Sequence, residues 1–364
     1  MNKVKEVIAV FFRLGCIAFG GPAAHIAMME EEIIQKRKWI SQQHFLDLIG
    51  VTNLIPGPNS TEMTMHCGYE RAGWKGLIGA GFFFILPAVV ITCIFAYIYK
   101  EYGKIPEIKS ILYGIKPAVI AIILSASYKL GKKALKNWQL MVLGVLVIIA
   151  ALMGMNEIFV LLGAGIIGGV LYYLVQAQSV KSVVLFPLAI SIPAWKTFFS
   201  FLKVGAILYG SGYVLFAFLD AELVSSGILT KAELIDAVAI GQLTPGPVLS
   251  TASFIGWQLG GLKGALAATV GIFLPSFIFV RLINPLVHKI RKSPLLSAML
   301  DAVNVAAVGV ILAVCIEMGM ESIVDWKTAL IAIVSAALLF GVKKVNSMHI
   351  VIFGALAGYL LSLI

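Results

Sequence analysis

Charge is scarce in this chain. Of its 364 residues, 13% are Asp, Glu, Lys or Arg and 60% are hydrophobic, with a mean hydropathy of +0.97. An ordinary soluble domain carries about a quarter charged residues. Composition therefore excludes a soluble globular chain and points to a polytopic membrane protein. Cysteine is scarce too: Cys16, Cys67, Cys93 and Cys315 stand apart in apolar contexts without metal-ligand spacing, and read as small packing residues. There is no His-rich metal motif, no Walker-type phosphate loop and no nucleophile elbow, so neither a cofactor nor enzyme chemistry is expected. Basic residues outnumber acidic ones 28 to 18. They are dispersed between apolar spans rather than gathered in a basic domain, which argues against a nucleic-acid partner; retention of cytoplasmic loops accounts for most of the excess. The opening MNKVKEVIAVFFRLG has no small-residue cleavage site and is interrupted by Arg13, so it reads as mature protein rather than a signal peptide.

What the chain has instead is long apolar runs. Gly76 to Tyr99 carries no charged residue and is long enough for a hydrocarbon core of about 30 Å. Further spans are expected at Ile111–Tyr128, Leu140–Gly154, Ile158–Val175, Gly264–Ile283, Leu295–Ile316, Ala329–Val342 and Met348–Leu363.

Self-comparison shows two homologous halves. Phe11-Phe12-Arg13-Leu14-Gly15 matches Phe201-Leu202-Lys203-Val204-Gly205, and Pro56-Gly57-Pro58 matches Pro245-Gly246-Pro247. At nearly the same offset, Ala72-Gly73-Trp74-Lys75-Gly76 matches Gly260-Gly261-Leu262-Lys263-Gly264, and Leu86-Pro87 matches Leu274-Pro275. The expected organisation is a first repeat over 1–175, an apolar connector over 176–196 that could be an extra crossing, and a second repeat over 197–364. The expected fold is all-α: two repeats, each with interrupted half-helices followed by about four transmembrane helices. The first half breaks at Gly20-Gly21-Pro22 and again at Pro-Gly-Pro, where proline removes a backbone donor and ends the helix. Ser41 and Thr230 suit the N-caps of the arms leading into the Pro-Gly-Pro breaks. Gln42–Ile55 and Asn59–Arg71 are each short for a span, and read either as a re-entrant hairpin or as one discontinuous helix. Lys36-Arg37-Lys38, Lys129 to Lys136, Lys289 to Lys292 and Lys343-Lys344 mark the cytoplasmic side. The counterpart of the first cluster, Asp220 to Thr230, carries acids and no base, so the second repeat is expected to be inverted.

Broken backbone at membrane depth is tolerated where it lines a polar cavity, so the breaks are the candidate site. Asn53, Pro56, Gly57, Pro58, Asn59, Ser60 and Thr61 in the first half, and Gln242, Pro245, Gly246, Pro247, Ser250 and Thr251 in the second, put amides and hydroxyls at helix starts that favour an anion. Gly20, Gly21 and Gly210 would let backbone approach a ligand. Capping alone is the plainer explanation of one such motif, but it is repeated. Arg13 and its mate Lys203 place a cation at the same point of both halves, and Lys116 lies inside an apolar span. Each is a candidate substrate group, or else snorkels or pairs with a carboxylate such as Asp47, Glu62 or Asp301. Glu62, His25 and His66 near the breaks are candidates for gating or proton coupling, and Asp47 and Asp236 recur in a role that would fix the arms. Glu30-Glu31-Glu32 with Lys36-Arg37-Lys38 reads as a solvated face.

FRLGCIAFGGPAAHI, KRKWIS, LIPGPNST, GYERAGWKG and FFFILP together resemble the chromate ion transporter family, in its long two-domain form. The resemblance implies a multi-pass carrier of the bacterial inner membrane that exports chromate, a tetrahedral dianion similar to sulfate, and a homodimer is compatible with it. A carrier of another anion such as sulfate or an organic acid, or an anion channel, is the alternative. The second half departs from the pattern, with Gly210-Ser211-Gly212 for Gly-Gly-Pro and Pro-Gly-Pro-Val for Pro-Gly-Pro-Asn, so the first half carries more weight.

Overall fold

The computed structural model describes residues 2–19, 21–52, 55–103, 105–155, 157–176, 193–208, 212–283, 294–342 and 345–363. Gly20, Asn53, Gly210 and most of the connector lie outside them.

The first half runs through α1 (Lys3–Ile17), α2 (Pro22–Met29) continued by a π-helical turn Glu30–Lys36, α3 (Gln42–Thr52), α4 (Asn59–Tyr102), α5 (Pro106–Ala134), α6 (Trp138–Leu152) and α7 (Glu157–Gln176). The second half repeats this as α8 (Pro193–Ile207), α9 (Leu215–Leu219) with a π-helical turn Asp220–Val224, α10 (Lys231–Leu243), α11 (Thr251–Ile283), α12 (Pro294–Ser322), α13 (Trp326–Gly341) and α14 (Ser347–Ser362). Every expected span falls on one of these helices. Four stretches are long and apolar enough to cross a membrane, within α4, α5, α11 and α12. Their outward faces carry large apolar side chains such as Phe82, Ile94, Leu266 and Ile278, as lipid contact requires.

α4 and α11 are each two arms folded at a sharp turn. Ala72-Gly73 has φ/ψ of −143/23 and 61/−152, and Gly260-Gly261 has −151/23 and 60/−149. The second conformation is open essentially to glycine alone. The fold brings Gly68 onto Gly76, and Gly256 onto Gly264, so tightly that a Cβ at any of the four would collide with the facing carbonyl.

The arms before and after each Pro-Gly-Pro form a re-entrant hairpin rather than one broken helix. His44, at the start of α3, lies 3.3 Å from Glu70, near the end of the following arm. The arms therefore run back along one another. Ser41 accepts from the amide of His44 at 3.2 Å, and Thr230 forms a reciprocal capping box with Glu233.

Equivalent helices of the two halves pack antiparallel. Tyr97 stacks edge-on with Trp257, the Gln258 amide donates to the Ala96 carbonyl at 3.0 Å, and at the other end of the contact Gly81 faces the Phe277 ring. α5 and α12 do the same, with Cys315 against Ile120 and Gly131 against Val308. A repeat laid antiparallel on its own copy is an inverted repeat. The halves also interlock: α5 packs on α13 and α14, while α12 packs on α6 and α7. Gly114 nests against Gly354 and Gly358, small residues one helical turn apart that allow close backbone approach.

Candidate functional site

The Pro-Gly-Pro tips meet at the centre of this arrangement, each seated in the other half. The Gly57 amide donates to the Leu208 carbonyl at 2.5 Å, and the Gly246 amide donates to the Ala18 carbonyl at 2.8 Å. Ala18 and Leu208 stand at corresponding points just beyond the ends of α1 and α8, where carbonyls lack partners within the helix. The two bonds are therefore one contact repeated by the pseudo-twofold. Gly57 and Gly246 have φ of 144° and 90°. α1 lies close enough to α4 for a Cβ on Gly15 to stand 2.5 Å from the Phe84 carbonyl, and Gly205 meets the Ile272 carbonyl of α11 in the same way. Pro87 and Pro275 lie inside these long helices near the contact and cannot donate to the preceding turn.

The backbone is symmetric here, but the side chains are not. Around the first tip Asn59, Ser60, Thr61, Glu62 and His66 are all buried at the start of α4. His25, on α2, bridges two elements: Nε2 lies 3.0 Å from the Ala18 carbonyl and Nδ1 lies 3.2 Å from Ser60 Oγ. A carbonyl only accepts, so Nε2 carries the proton, and Nδ1 accepts from the serine. The Glu62 carboxyl stands over Gly57 beside the Ser276 hydroxyl of α11, so that a Cβ at position 57 would strike both. Among the described residues no cation pairs with Glu62. Among the described residues the Thr61 hydroxyl is buried without a partner, as is the side-chain amide nitrogen of Gln242 at the end of α10. Around the second tip the corresponding residues are Leu215 for His25, Leu249 for Ser60 and Ala88 for Ser276. Ser250 and Thr251 do not reach toward a ligand: Thr251 donates to the Val248 carbonyl at 2.8 Å, and Ser250 shares a 3.3 Å contact with Thr244. Their hydroxyls cap the turn, and the polar site is one-sided.

The cations expected at the site are elsewhere. Arg13 pairs with Glu32 at 2.5 Å with its side chain 55% exposed, and Lys203 pairs with Glu222 at 2.6 Å. Glu32 and Glu222 occupy equivalent positions in the π-helical turns, so the recurrent cation is one half of a recurrent ion pair that ties α1 and α8 to the segment after the first break. Glu32, read as part of a solvated face, is buried; it also accepts from Arg37 at 2.8 Å. Arg37 and Arg71 both reach Glu6, which closes this end of the first half. Lys116 pairs with Asp236, not with any of the carboxylates expected for it. Asp47 lies in α3. Gly21 takes φ 81° directly before Pro22 opens α2, the turn its position requires. Ser276 and the carbonyls of Ala18 and Leu208 were not among the expected groups. Ser276 follows Pro275 as Ala88 follows Pro87, and extending that alignment by one residue exposes the difference.

Two interlocked inverted repeats, each with a broken hairpin whose tip is buried at the pseudo-twofold, define a membrane transporter architecture. The chromate transporter family model matches residues 5–169 and again 195–359. The chain belongs to that family. It is 32% identical to a chromate transport protein of Cupriavidus metallidurans, over 98% of this chain and 92% of that one, and 28% identical to a probable chromate transport protein of Synechococcus elongatus, over 98% and 95%. YwrA, an uncharacterized transporter of Bacillus subtilis, is 24% identical over 44% of this chain and 92% of its own length. No solved structure matches the chain.

Proposed function

We propose that the protein is a secondary carrier of chromate across the cytoplasmic membrane, working outward and so conferring resistance, by alternating access around the paired hairpin tips. The observation that carries this is the one-sided polar tip: the buried hydroxyls of Thr61 and Ser276 stand with the start of α4, where the helix dipole favours an anion. Inverted repeats meeting at broken helices are the usual frame for such a site, because rocking one repeat on the other exposes it to each side in turn. With Lys36 to Lys38 and Lys129 to Lys136 cytoplasmic, the α3 start and the α5 end face the cytoplasm. Glu62 acts as the gate. An ionised carboxylate and a dianion exclude one another in a buried site, so the anion binds when Glu62 is protonated.

The test is uptake of labelled chromate into proteoliposomes, with sulfate as competitor and with imposed pH or sulfate gradients. A carrier saturates and shows trans-stimulation, and Ser276→Ala with Thr61→Ala should raise the half-saturating concentration at least tenfold, as loss of two donors to a charged ligand predicts, about 1.5 kcal/mol or more. Flux that neither saturates nor responds to a counter-anion overturns the carrier reading in favour of a channel. Unchanged kinetics in the variants overturns the assignment of the tip.

A further inference from the structure

A second polar place lies apart from the tips. Where α4 ends and α5 begins, a cleft of 630 Å³ opens between the halves, with Tyr99, Lys109, Lys116, Asp236 and Gln258 in its wall. Lys116 Nζ is 2.9 Å from Asp236 Oδ1, and the Tyr99 hydroxyl donates to Asp236 Oδ2 at 2.7 Å. Lys116 and Tyr99 belong to the first half, and Asp236 sits on α10, the arm that leads to the second tip. At 1.5 Å per residue, Lys116 is about 15 Å along α5 from its start and Asp236 about 13 Å along the chain before Pro245. The pair thus lies between the cleft's mouth and the tips. A lysine at this depth is costly unless it serves a partner or a cavity. Lys116 has both, and its side chain remains 25% exposed.

We infer that this cleft is a docking vestibule for a tetrahedral oxyanion, with Lys116 as the group that takes the anion by exchanging its partner Asp236. The inference rests on the anion-carrier reading above. An ammonium group pairs with whichever anion is presented, and the Asp236 carboxylate left without its cation draws the lysine back once the anion has gone. Asp236 retains the Tyr99 hydrogen bond when the lysine leaves it, and Lys116 passes from one negative group to another. Lys100 and Lys109 in the same wall are balanced by Glu233 and Glu321, so the charge that takes the anion is the one Lys116 frees by leaving Asp236. The cleft is several times larger than such an ion, so the anion arrives with much of its water. The repeat mates of Asp236 and Lys116 are Asp47 and Asn304. No lysine recurs there, so the exchange belongs to one end of the molecule. With the α5 end cytoplasmic, that end is the outer one, so in outward transport the vestibule receives the anion leaving the tips and takes the counter-anion that enters in exchange.

Sulfate binding to the purified full-length protein, measured by titration calorimetry, tests this together with chromate and sulfate transport in proteoliposomes. Lys116→Gln is expected to weaken sulfate binding about tenfold, and Asp236→Asn to tighten it several-fold by removing the competing carboxylate. The exchanged double variant, Lys116→Asp with Asp236→Lys, restores an ion pair but puts the cation on α10, and should not restore binding. Lys116→Arg keeps the charge, and should bind within about threefold of the parent. Restoration by the exchanged pair, or equal loss in Asp236→Asn and Lys116→Gln, would make the pair a structural tie and overturn the vestibule. If sulfate binds with this pattern but no anion is transported, the carrier reading fails and the vestibule stands. Transport by the parent with binding indifferent to Lys116 sinks the vestibule alone.

Discussion

The amide of Gly57 and the carbonyl of Leu208, 2.5 Å apart, join the tip of the first hairpin to the end of a helix in the other half, and Gly246 with Ala18 returns the bond at 2.8 Å. Neither half can therefore complete its broken backbone alone. The two differ in what surrounds them. A Cβ at position 57 would run into the Glu62 carboxyl and the Ser276 hydroxyl, whereas at position 246 the nearest neighbour is the Ala88 methyl at 3.0 Å. Both positions have positive φ, which costs a non-glycine residue about 1–3 kcal/mol. Gly57→Ala should abolish transport and lower the detergent-solubilised melting temperature, and Gly246→Ala should show the smaller effect in both. Equal losses would mean that the side chains over the first tip yield freely.

The folded arms of α4 give a second comparison. Gly73 has open space where a Cβ would go, so Gly73→Ala meets only backbone strain, about 1–3 kcal/mol. Gly68→Ala carries no such strain but collides with the Gly76 carbonyl, and should destabilise more. Thermal unfolding of the two variants, each beside its repeat counterpart at Gly261 or Gly256, checks the ranking. If Gly73→Ala proves neutral, the turn is not the fixed feature that its dihedral angles imply.

Arg13 tests whether a recurrent cation is a ligand or a brace. Its ion pair with Glu32 is half exposed on the arginine side, and such pairs contribute about 0–1 kcal/mol. Arg13→Gln should therefore keep most transport at saturating chromate, with a small loss of stability. Glu32→Gln should cost more, because the buried carboxylate also holds Arg37. Initial rates in proteoliposomes decide it, and abolition by Arg13→Gln in a folded protein would return the arginine to the anion path.

Much of this architecture is legible in the residues. Proline and glycine fixed the breaks, apolar runs fixed the spans, and the matched halves fixed the repeat, because each of these follows from local backbone chemistry. Which side chain meets which does not follow. Arg13 and Lys203 recur as the pattern of a ligand would, but Glu32 and Glu222 recur at the same offset and make them ion-pair partners. Ser276 matters by differing from its mate Ala88, so what the halves share gives no signal of it. The charges of Glu70, Arg71 and Lys75 mark the end of one arm and the start of the next, but not that the chain folds back there through Gly73, which only its left-handed φ shows. The exchange of tips between halves has no local signal at all.

If Glu62 is the gate, its protonation should set the pH dependence of anion binding. Its carboxyl is fully buried against Gly57 and Ser276, and among the described residues His25, bridging Ala18 and Ser60, and His66 and Cys67, further along the same arm, are titratable groups near it. In a site that also receives a dianion, the ionised carboxylate repels the ligand and the protonated one can donate to it. Apparent affinity for chromate should therefore fall as pH rises in the parent protein. Glu62→Gln imitates the protonated form and should bind with an affinity that varies little with pH, matching the parent at the acid end. His25→Leu, the residue that the second half carries, removes the Ser60 contact without touching that carboxyl, so its affinity should be lower at every pH while the slope persists. Affinity–pH profiles of the three proteins separate the roles, and a Glu62→Gln profile parallel to the parent's would move the titrating group to another residue.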